Sequence, residues 1–259
     1  MPLFDMHMVL TIVGIALLGG IIGLDRTAVA QIMISQPIVA APLIGLTLGD
    51  ATTGLIVGAA LELIWLLDMP VGAFVPADST VAAVFATAIA ILGSPGSERL
   101  SLTGFSILLT VLLAPVTMRA DTFIRNVNSR LAQRILAPSG EPLGTILSRA
   151  HRAGLWVFFL KFFVLYLVLI PVGMIAVRLF THAPETYHRA MIFYVKVLPL
   201  LGAALVVRKL SMKTVDRFLL AGFVMVAVLV QFVHAPALMI MLLIITGASL
   251  GARYRERQA

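Results

Sequence analysis

Long apolar stretches recur along this chain, and they constrain its fold more than any other feature. Residues 7–24, 101–118, 154–177 and 190–207 are each close to the ~20 residues that cross a bilayer as a helix. Sixty per cent of the 259 residues are hydrophobic, only 12% are charged, and the mean hydropathy is +1.05. A soluble domain carries roughly twice that share of charged residues. The composition therefore predicts an all-α polytopic membrane protein with about seven to nine hydrophobic segments.

Charged residues are distributed unevenly between the two parts of the sequence. Residues 1–98 contain seven acids and a single basic residue, Arg26, whereas the remainder contains 18 basic and 5 acidic residues. The longest polar stretch, residues 119–152, carries six arginines. Basic residues between apolar segments indicate membrane topology rather than nucleic-acid binding. By the positive-inside rule we expect residues 119–152, as a polar loop, and the C-terminus to be cytoplasmic.

The polar stretch also has a local pattern of its own. Apolar residues recur at helical spacing within residues 119–136, which predicts an amphipathic helix on the membrane surface over part of the loop. No composition shift marks a separate soluble domain. We therefore interpret residues 1–259 as one integral-membrane domain.

Proline, glycine and aspartate interrupt the apolar segments of the first hundred residues. These interruptions fall at Pro37, Pro42, Gly49, Asp50, Pro70, Gly72 and Pro76. Helix-breaking residues are tolerated at membrane depth where the backbone is buried in protein or lines a cavity. Many transporters build their binding sites from discontinuous helices of this kind. The pattern predicts broken or re-entrant helices in this region rather than plain spans.

Glu62 is the most informative single residue, because it lies in the otherwise apolar run of residues 55–67. A carboxylate in hydrocarbon is costly, so it is expected to face a cavity, a partner or the bundle interior. Trp65 lies three residues later, on the same face of a helix. The pair suits a sugar, because the carboxylate accepts from hydroxyls while the ring stacks on the C–H face. The alternative is a structural carboxyl group, protonated or hydrogen-bonded between helices.

Four aspartates and two glycine pairs allow simpler interpretations. Asp68 and Asp78 flank the break at residues 70–76 and suit either ligand binding or helix capping. Asp25 and Asp50 end apolar segments and suit helix capping or a hinge. The glycines form small-xxx-small pairs, which favour close helix packing. They are Gly45 with Gly49 and Gly54 with Gly58.

Sequence motifs for catalysis are absent from the chain. It has no cysteine, no H-E-x-x-H, no G-x-S-x-G and no Gly-rich phosphate loop. We therefore predict no catalytic residue, no metal site and no cofactor.

Residues 36–65 and 69–78 resemble the membrane IIC component of the mannose/fructose/sorbose-type phosphotransferase system. The resemblance covers about 55 residues, roughly 24–80, and is carried by a fixed order of short motifs. These are Pro37, Leu48-Gly49-Asp50, Thr53-Gly54, Gly58, Leu61-Glu62, Gly72-Ala73 and Asp78.

The resemblance implies a multi-pass subunit of the bacterial inner membrane that binds a hexose and carries it across, through an elevator-like movement of a core domain. Its partners would be a membrane IID subunit, in a trimer of IIC–IID pairs, and cytoplasmic IIA and IIB phosphocarriers. The chain itself would carry no phosphorylation site and no catalytic activity. Glu62, Asp78, Asp68 and Gln36 would form the polar shell around the sugar, with Trp65 stacking on its ring. Pro70 and Gly72 would be structural.

Two other functions are compatible with the residues. One is a proton- or ion-coupled transporter of a small polar solute, with Glu62 as the protonatable group. The other is a non-transporting membrane scaffold or sensor subunit. The order of motifs from Pro37 to Asp78 favours the phosphotransferase interpretation over both.

Overall fold

The computed structural model describes residues 5–66, 75–93, 99–135 and 142–210, and these residues form eight α-helices and no strand. The prediction of an all-α membrane protein is confirmed. In chain order the helices are α1 (Met6–Leu24), α2 (Pro37–Thr47), α3 (Ala51–Trp65), α4 (Ser79–Leu92), α5 (Arg99–Leu112), α6 (Ala114–Ile135), α7 (Leu143–Phe180) and α8 (Glu185–Leu210).

Within the described residues, α1, α7 and α8 are long and apolar enough to cross a membrane. Helices α5 and α6 form a fourth candidate span as a pair bent by 45°. Helix α7 has 38 residues, and at 1.5 Å per residue it is about 57 Å long, well beyond the ~30 Å hydrocarbon core. Helices α2, α3 and α4 have only 11 to 15 residues and are too short to span alone.

Helices α2 and α3 form a tight antiparallel hairpin, and glycines set its spacing. A Cβ atom at Gly54 would lie 2.5 Å from the carbonyl oxygen of Ala41, and one at Gly58 would lie 2.6 Å from that of Pro37. A Cβ atom at Gly45 would lie 2.6 Å from the carbonyl oxygen of Asp50 and 3.1 Å from the Cα atom of Gly54. Any side chain at these positions would push the two helices apart.

Gly49 differs from the other three glycines because it lies in the turn between α2 and α3. Its φ is +80°, in the left-handed region that favours glycine, and its ideal Cβ would meet open space. The following residue, Asp50, is the N-cap of α3, since its carboxylate accepts from the backbone N–H of Thr53 at 3.1 Å. Arg99, at the start of α5, pairs with Asp50 at 2.6 Å.

Helix α4 is the central element, with residues 79–90 all buried. It contacts α1, α2, α3, α5 and α7. Aromatic side chains of α7 pack onto glycines of α1, Tyr166 on Gly19 and Phe162 on Gly23. This packing brings the middle of α7 close to the end of α1 and the start of α4.

The structure differs from the hydrophobicity pattern in two places. Residues 28–48 are predominantly apolar in the sequence, but the helix begins only at Pro37, and a loop precedes it. The polar stretch 119–152 is helical in its two described parts, because α6 continues to Ile135 and α7 begins at Leu143. The apolar segments 218–233 and 236–251 and the basic C-terminus lie outside the described residues.

Candidate functional site

A polar cavity of about 270 Å³ opens where the ends of α1 and α3 meet the starts of α2 and α4 and the middle of α6. Its polar lining consists of Asp25, Arg26, Thr27, Gln31, Ser35, Gln36, Asp78, Ser79, Asp121 and Arg125. Its apolar lining consists of Met33, Trp65, Leu66 and Pro76. Among the described residues, the cavity therefore combines several charged groups with one aromatic ring, that of Trp65.

One wall of the cavity is the α1–α2 loop, residues 25–36, which Asp25 holds in place. The Asp25 carboxylate accepts from the backbone N–H of Ile32 at 2.8 Å and from both the N–H and the hydroxyl of Ser35 at 3.1 Å. Burial raises the pKa of Asp25, but these hydrogen bonds, led by the Ser35 N–H, outweigh it and hold that pKa below its ordinary value. The carboxylate is thus ionised at neutral pH.

The same loop has an unusual backbone. Ala30, Gln31 and Met33 have φ values of 58°, 54° and 69°, in the left-handed region that non-glycine residues rarely adopt. Strain of this kind is concentrated at ligand sites, where the surrounding structure enforces it. In this loop, the Asp25 hydrogen bonds provide that enforcement.

Arg26 connects the loop to the start of α4. Its guanidinium donates to the hydroxyl of Ser79 at 2.7 Å and to the carbonyl oxygen of Ala77 at 3.3 Å, and it lies 3.5 Å from the Asp78 carboxylate. Asp78 is also the N-cap of α4, because its side chain accepts from the N–H of Val81. The broken end of α4 therefore receives its charge partner from α1.

Lys161 lies in the apolar part of α7 with a buried side chain, and it joins two carboxylates. Its ammonium donates to Asp78 at 2.6 Å and to Asp121 of α6 at 3.0 Å, and it lies 4.0 Å from the centre of the Phe162 ring. Asp121 in turn accepts from Nε of Arg125 at 2.9 Å. Arg26, Asp78, Lys161, Asp121 and Arg125 form a chain of alternating charge, which we call the charge cluster.

The structure brings together three of the five predicted sugar-binding residues. Gln36, Trp65 and Asp78 line the cavity. Glu62 is not among the described lining residues, and its carboxylate accepts from the backbone N–H of Ile38 at 3.2 Å, in the first turn of α2. Asp68 lies outside the described residues, as do Pro70 and Gly72. A direct contact between Glu62 and a substrate stays a prediction.

Sequence reasoning missed most of the charge cluster. In the sequence, Arg26 stands out only as the single basic residue of the first 98, and Asp121 is not singled out, although both line the cavity. Lys161 lies within residues 154–177, which were interpreted as an ordinary membrane span. A lysine within an apolar stretch is itself a signal of function in membranes, and that signal was available.

Metal binding has no counterpart in the described part of the chain, where no three His, Cys, Asp or Glu side chains cluster as ligands would. The polar lining instead offers carboxylate acceptors, guanidinium donors and amides. This set suits hydrogen bonding to a small polar ligand.

Comparison with known families decides where the chain belongs. The family model for the sorbose-specific IIC component of the phosphotransferase system matches residues 9–251. The chain belongs to this family. The resemblance inferred from residues 36–78 is thereby confirmed, and the membrane location follows from it.

Individual relatives of this IIC chain agree with the family model. The fructose permease IIC component of Bacillus subtilis (strain 168) is 26% identical over 195 residues, which cover 74% of this chain and 70% of the relative. The mannose-specific EIIC component of Escherichia coli K12 is 41% identical over 58 residues, 22% of each chain. The sorbose-specific EIIC component of Lacticaseibacillus casei is 36% identical over 88 residues, 32% of each.

Two solved structures share the fold of this IIC chain over 96% of both chains. One, described as "Structure of membrane protein", has a TM-score of 0.71 at 19% identity. The other, from the cryo-EM structure of the mannose transporter ManYZ with microcin E492, has a TM-score of 0.54 at 20% identity. At these identities the similarity establishes the fold.

Proposed function

We propose that this chain is the sugar-translocating IIC subunit of a mannose-class phosphotransferase system. It binds a hexose in the cavity and carries it across the bacterial inner membrane, where cytoplasmic IIA and IIB proteins phosphorylate it. The cavity is the observation that carries the proposal. The cavity lies at the ends of α1 and α3 and the starts of α2 and α4, and its described lining combines charged and amide groups with the ring of Trp65.

The size and chemistry of the cavity support a single sugar ring as its occupant. A volume of about 270 Å³ lies at the small end of ligand pockets, which run from about 300 to 1,000 Å³. Sugar hydroxyls donate and accept at once, so they match a lining that mixes carboxylates with guanidinium and amide groups. Trp65 offers a flat apolar surface for the C–H face of the ring.

The charges at the cavity support a neutral substrate. The three aspartates that line it are opposed by Arg26, Arg125 and the buried ammonium of Lys161. The formal charges of these six groups sum to zero. A neutral hexose enters such a site without leaving an unpaired charge behind.

The outer surface of α7 supports a membrane partner. Trp156, Leu160, Val164 and Val168 are exposed along the helix. Part of such a surface faces lipid and part is available to another helix bundle. We assign the second role to a IID subunit, in a trimer of IIC–IID pairs.

The cavity supports a cytoplasmic opening in this conformation. Asp121 and Arg125 line it from α6, the helix that also carries Arg119, Arg130 and Arg134. Helices with such an excess of arginine remain on the cytoplasmic side. Sugar bound at this end is accessible to the cytoplasmic phosphocarriers, and this chain then needs no phosphorylation site of its own.

Uptake measured in a host that lacks mannose-class permeases tests this function. The chain is produced with its own IID, IIA and IIB proteins, and the uptake of radiolabelled mannose, fructose and sorbose is measured. We expect one of these sugars to accumulate as its phosphate, and only when phosphoenolpyruvate and IIB are present. Accumulation of free sugar that a protonophore abolishes would instead support an ion-coupled transporter. No uptake of any sugar, with all subunits in the membrane, would support a scaffold.

A further inference from the structure

The two carboxylates that share the Lys161 ammonium are placed differently toward the cavity. The Asp78 side chain is 2% exposed, whereas that of Asp121 is 14% exposed. Both residues line the cavity, and the side chain of Asp121 keeps the larger exposed share.

The hydrogen bonds of Asp78 leave it little capacity for a ligand. One oxygen, Oδ2, accepts from Lys161 at 2.6 Å. The other, Oδ1, accepts from the backbone N–H of Val81 at 3.2 Å and lies 3.5 Å from Arg26. A carboxylate has about four acceptor positions, and the protein surrounds this one on both oxygens. Asp78 is thus placed to hold the start of α4.

Asp121 is placed to meet a ligand. Each of its oxygens has one protein partner, Lys161 on Oδ1 at 3.0 Å and Arg125 on Oδ2 at 2.9 Å. Each oxygen therefore keeps an acceptor position for a hydroxyl group. Both cations fix the orientation of the carboxylate, which readies it for hydrogen bonds to neutral donors.

We propose that Asp121 is the carboxylate that accepts hydrogen bonds from the hydroxyls of a neutral sugar ring, and that Lys161 is its positioning residue. This assignment rests on the proposed function and adds a site residue from α6, outside the motif region of residues 36–78. Lys161 itself does not line the cavity. It acts by holding Asp121 at a fixed distance from Asp78.

Kinetics of sugar uptake by four variants of the full complex, with a fifth variant as control, test the assignment, with the same panel of labelled mannose, fructose and sorbose. Asp121→Asn keeps the size of the side chain and removes its charge, so we expect the KM to rise about tenfold with normal Vmax and membrane abundance. Asp78→Asn is expected mainly to lower the membrane abundance, because it removes the charged partner of the buried Lys161 ammonium.

Lys161 is tested by two substitutions, so that a folding defect does not obscure the result. Lys161→Met is expected to raise the KM, because Asp121 loses its anchor. Lys161→Arg keeps the charge and is expected to restore most of the affinity. The matched control is Glu185→Gln, which removes an acid that pairs with Arg189 four residues later, as Asp121 does with Arg125, but at an exposed site. Its KM should equal that of the wild type.

The outcomes separate this assignment from the proposed function. An unchanged KM in Asp121→Asn, with a transporting wild type, would overturn the assignment alone. A tenfold rise in KM for Asp78→Asn at normal abundance would also overturn it, because the contact would then belong to Asp78. If the wild type transports none of the sugars, the proposed function fails and the assignment fails with it.

Discussion

The ammonium of Lys161 lies 2.6 Å from the carboxylate of Asp78, although 83 residues separate them in the chain. Both side chains are almost fully buried. Desolvation of such a pair offsets much of its attraction, so its net contribution to stability is small, but removal of one partner leaves a buried charge unpaired. The pair therefore acts mainly as a constraint, because it fixes the register of α7 against the N-terminus of α4.

A double-mutant cycle on this pair measures the constraint. We expect Lys161→Met and Asp78→Asn each to destabilise the protein by about 3–5 kcal/mol. The double variant should be less destabilised than the sum of the two, because no unpaired charge remains at that point. The measurement is thermal unfolding in detergent. The same cycle on Arg189 and Glu185, which are exposed, serves as the control and should show little coupling. Strictly additive effects of the Lys161 and Asp78 substitutions would contradict the constraint.

Gly54 sets the spacing of the α2–α3 hairpin, so we expect Gly54→Ala to lower stability by about 1–3 kcal/mol. The added methyl group would lie 2.5 Å from the carbonyl oxygen of Ala41. Gly14→Ala is the matched control, because its Cβ would meet open space on α1. Thermal unfolding should show a clear loss for Gly54→Ala and little change for Gly14→Ala. Equal stability of the two variants would show that the hairpin can separate without cost.

Glu62 accepts from the N–H of Ile38, and this contact predicts a particular pattern of variants. We expect Glu62→Gln to keep near-normal sugar affinity, because its amide oxygen still accepts that hydrogen bond. Glu62→Ala should lose about 1 kcal/mol of stability, as a lost helix cap does, with lower membrane abundance. Sugar binding and abundance are measured together for both. A five- to thirtyfold loss of affinity in Glu62→Gln at normal abundance would instead make Glu62 a direct ligand.

Membrane topology follows from the arginines of α6 and the start of α7. The chain has no cysteine, so single cysteines report cleanly on accessibility. Ser148→Cys should resist an impermeant thiol reagent in intact cells, because we expect it in the cytoplasm. Thr186→Cys, after α7 has crossed the membrane, should react from outside. Ser148 and Thr186 are both exposed in the structure, so burial does not explain a lack of reaction. Reaction of Ser148→Cys alone would show that the chain has the opposite orientation in the membrane.

The exposed apolar surface of α7 leads to a prediction about assembly. We expect the chain to co-purify with a second membrane subunit when the two are produced together, and to aggregate when produced alone. Size-exclusion chromatography in a mild detergent compares the two preparations. Trp156→Gln and Leu160→Gln remove apolar surface and test whether this part of α7 carries the contact, with Arg152→Gln as a control. Stable, sugar-transporting particles of this chain alone would contradict a IID partner.

The sequence predicted the features in which a residue caps its own helix or packs closely against a neighbouring helix. Asp50 caps α3, and Gly54 and Gly58 pack closely, because capping and small-residue packing depend on local spacing. The α1–α2 loop could not be predicted in the same way. Residues 28–34 are mostly apolar, like those of a helix, and the shape of the loop depends on hydrogen bonds that Asp25 accepts from N–H groups up to ten residues away.

The charge cluster could not be predicted from the local sequence for a different reason. Its members come from the α1–α2 loop, the N-cap of α4, α6 and α7, and no single segment shows which of them pair. Asp121 is one acid among arginines, and Lys161 is one cation in a long span. Their common site appears only when the α1 glycines admit the aromatic residues of α7 and bring these helices together.

Asp25 fixes the α1–α2 loop largely through backbone N–H groups, and this has an evolutionary consequence. The Asp25 carboxylate holds that wall, while the side chains of Thr27, Gln31 and Met33 line the cavity and make no hydrogen bond to that carboxylate. Mutations at these three positions can therefore change the lining without removing the Asp25 hydrogen bonds. Descendants of one ancestral permease can acquire different sugars by drift and selection at a few loop positions, while the helices that surround the cavity remain the same.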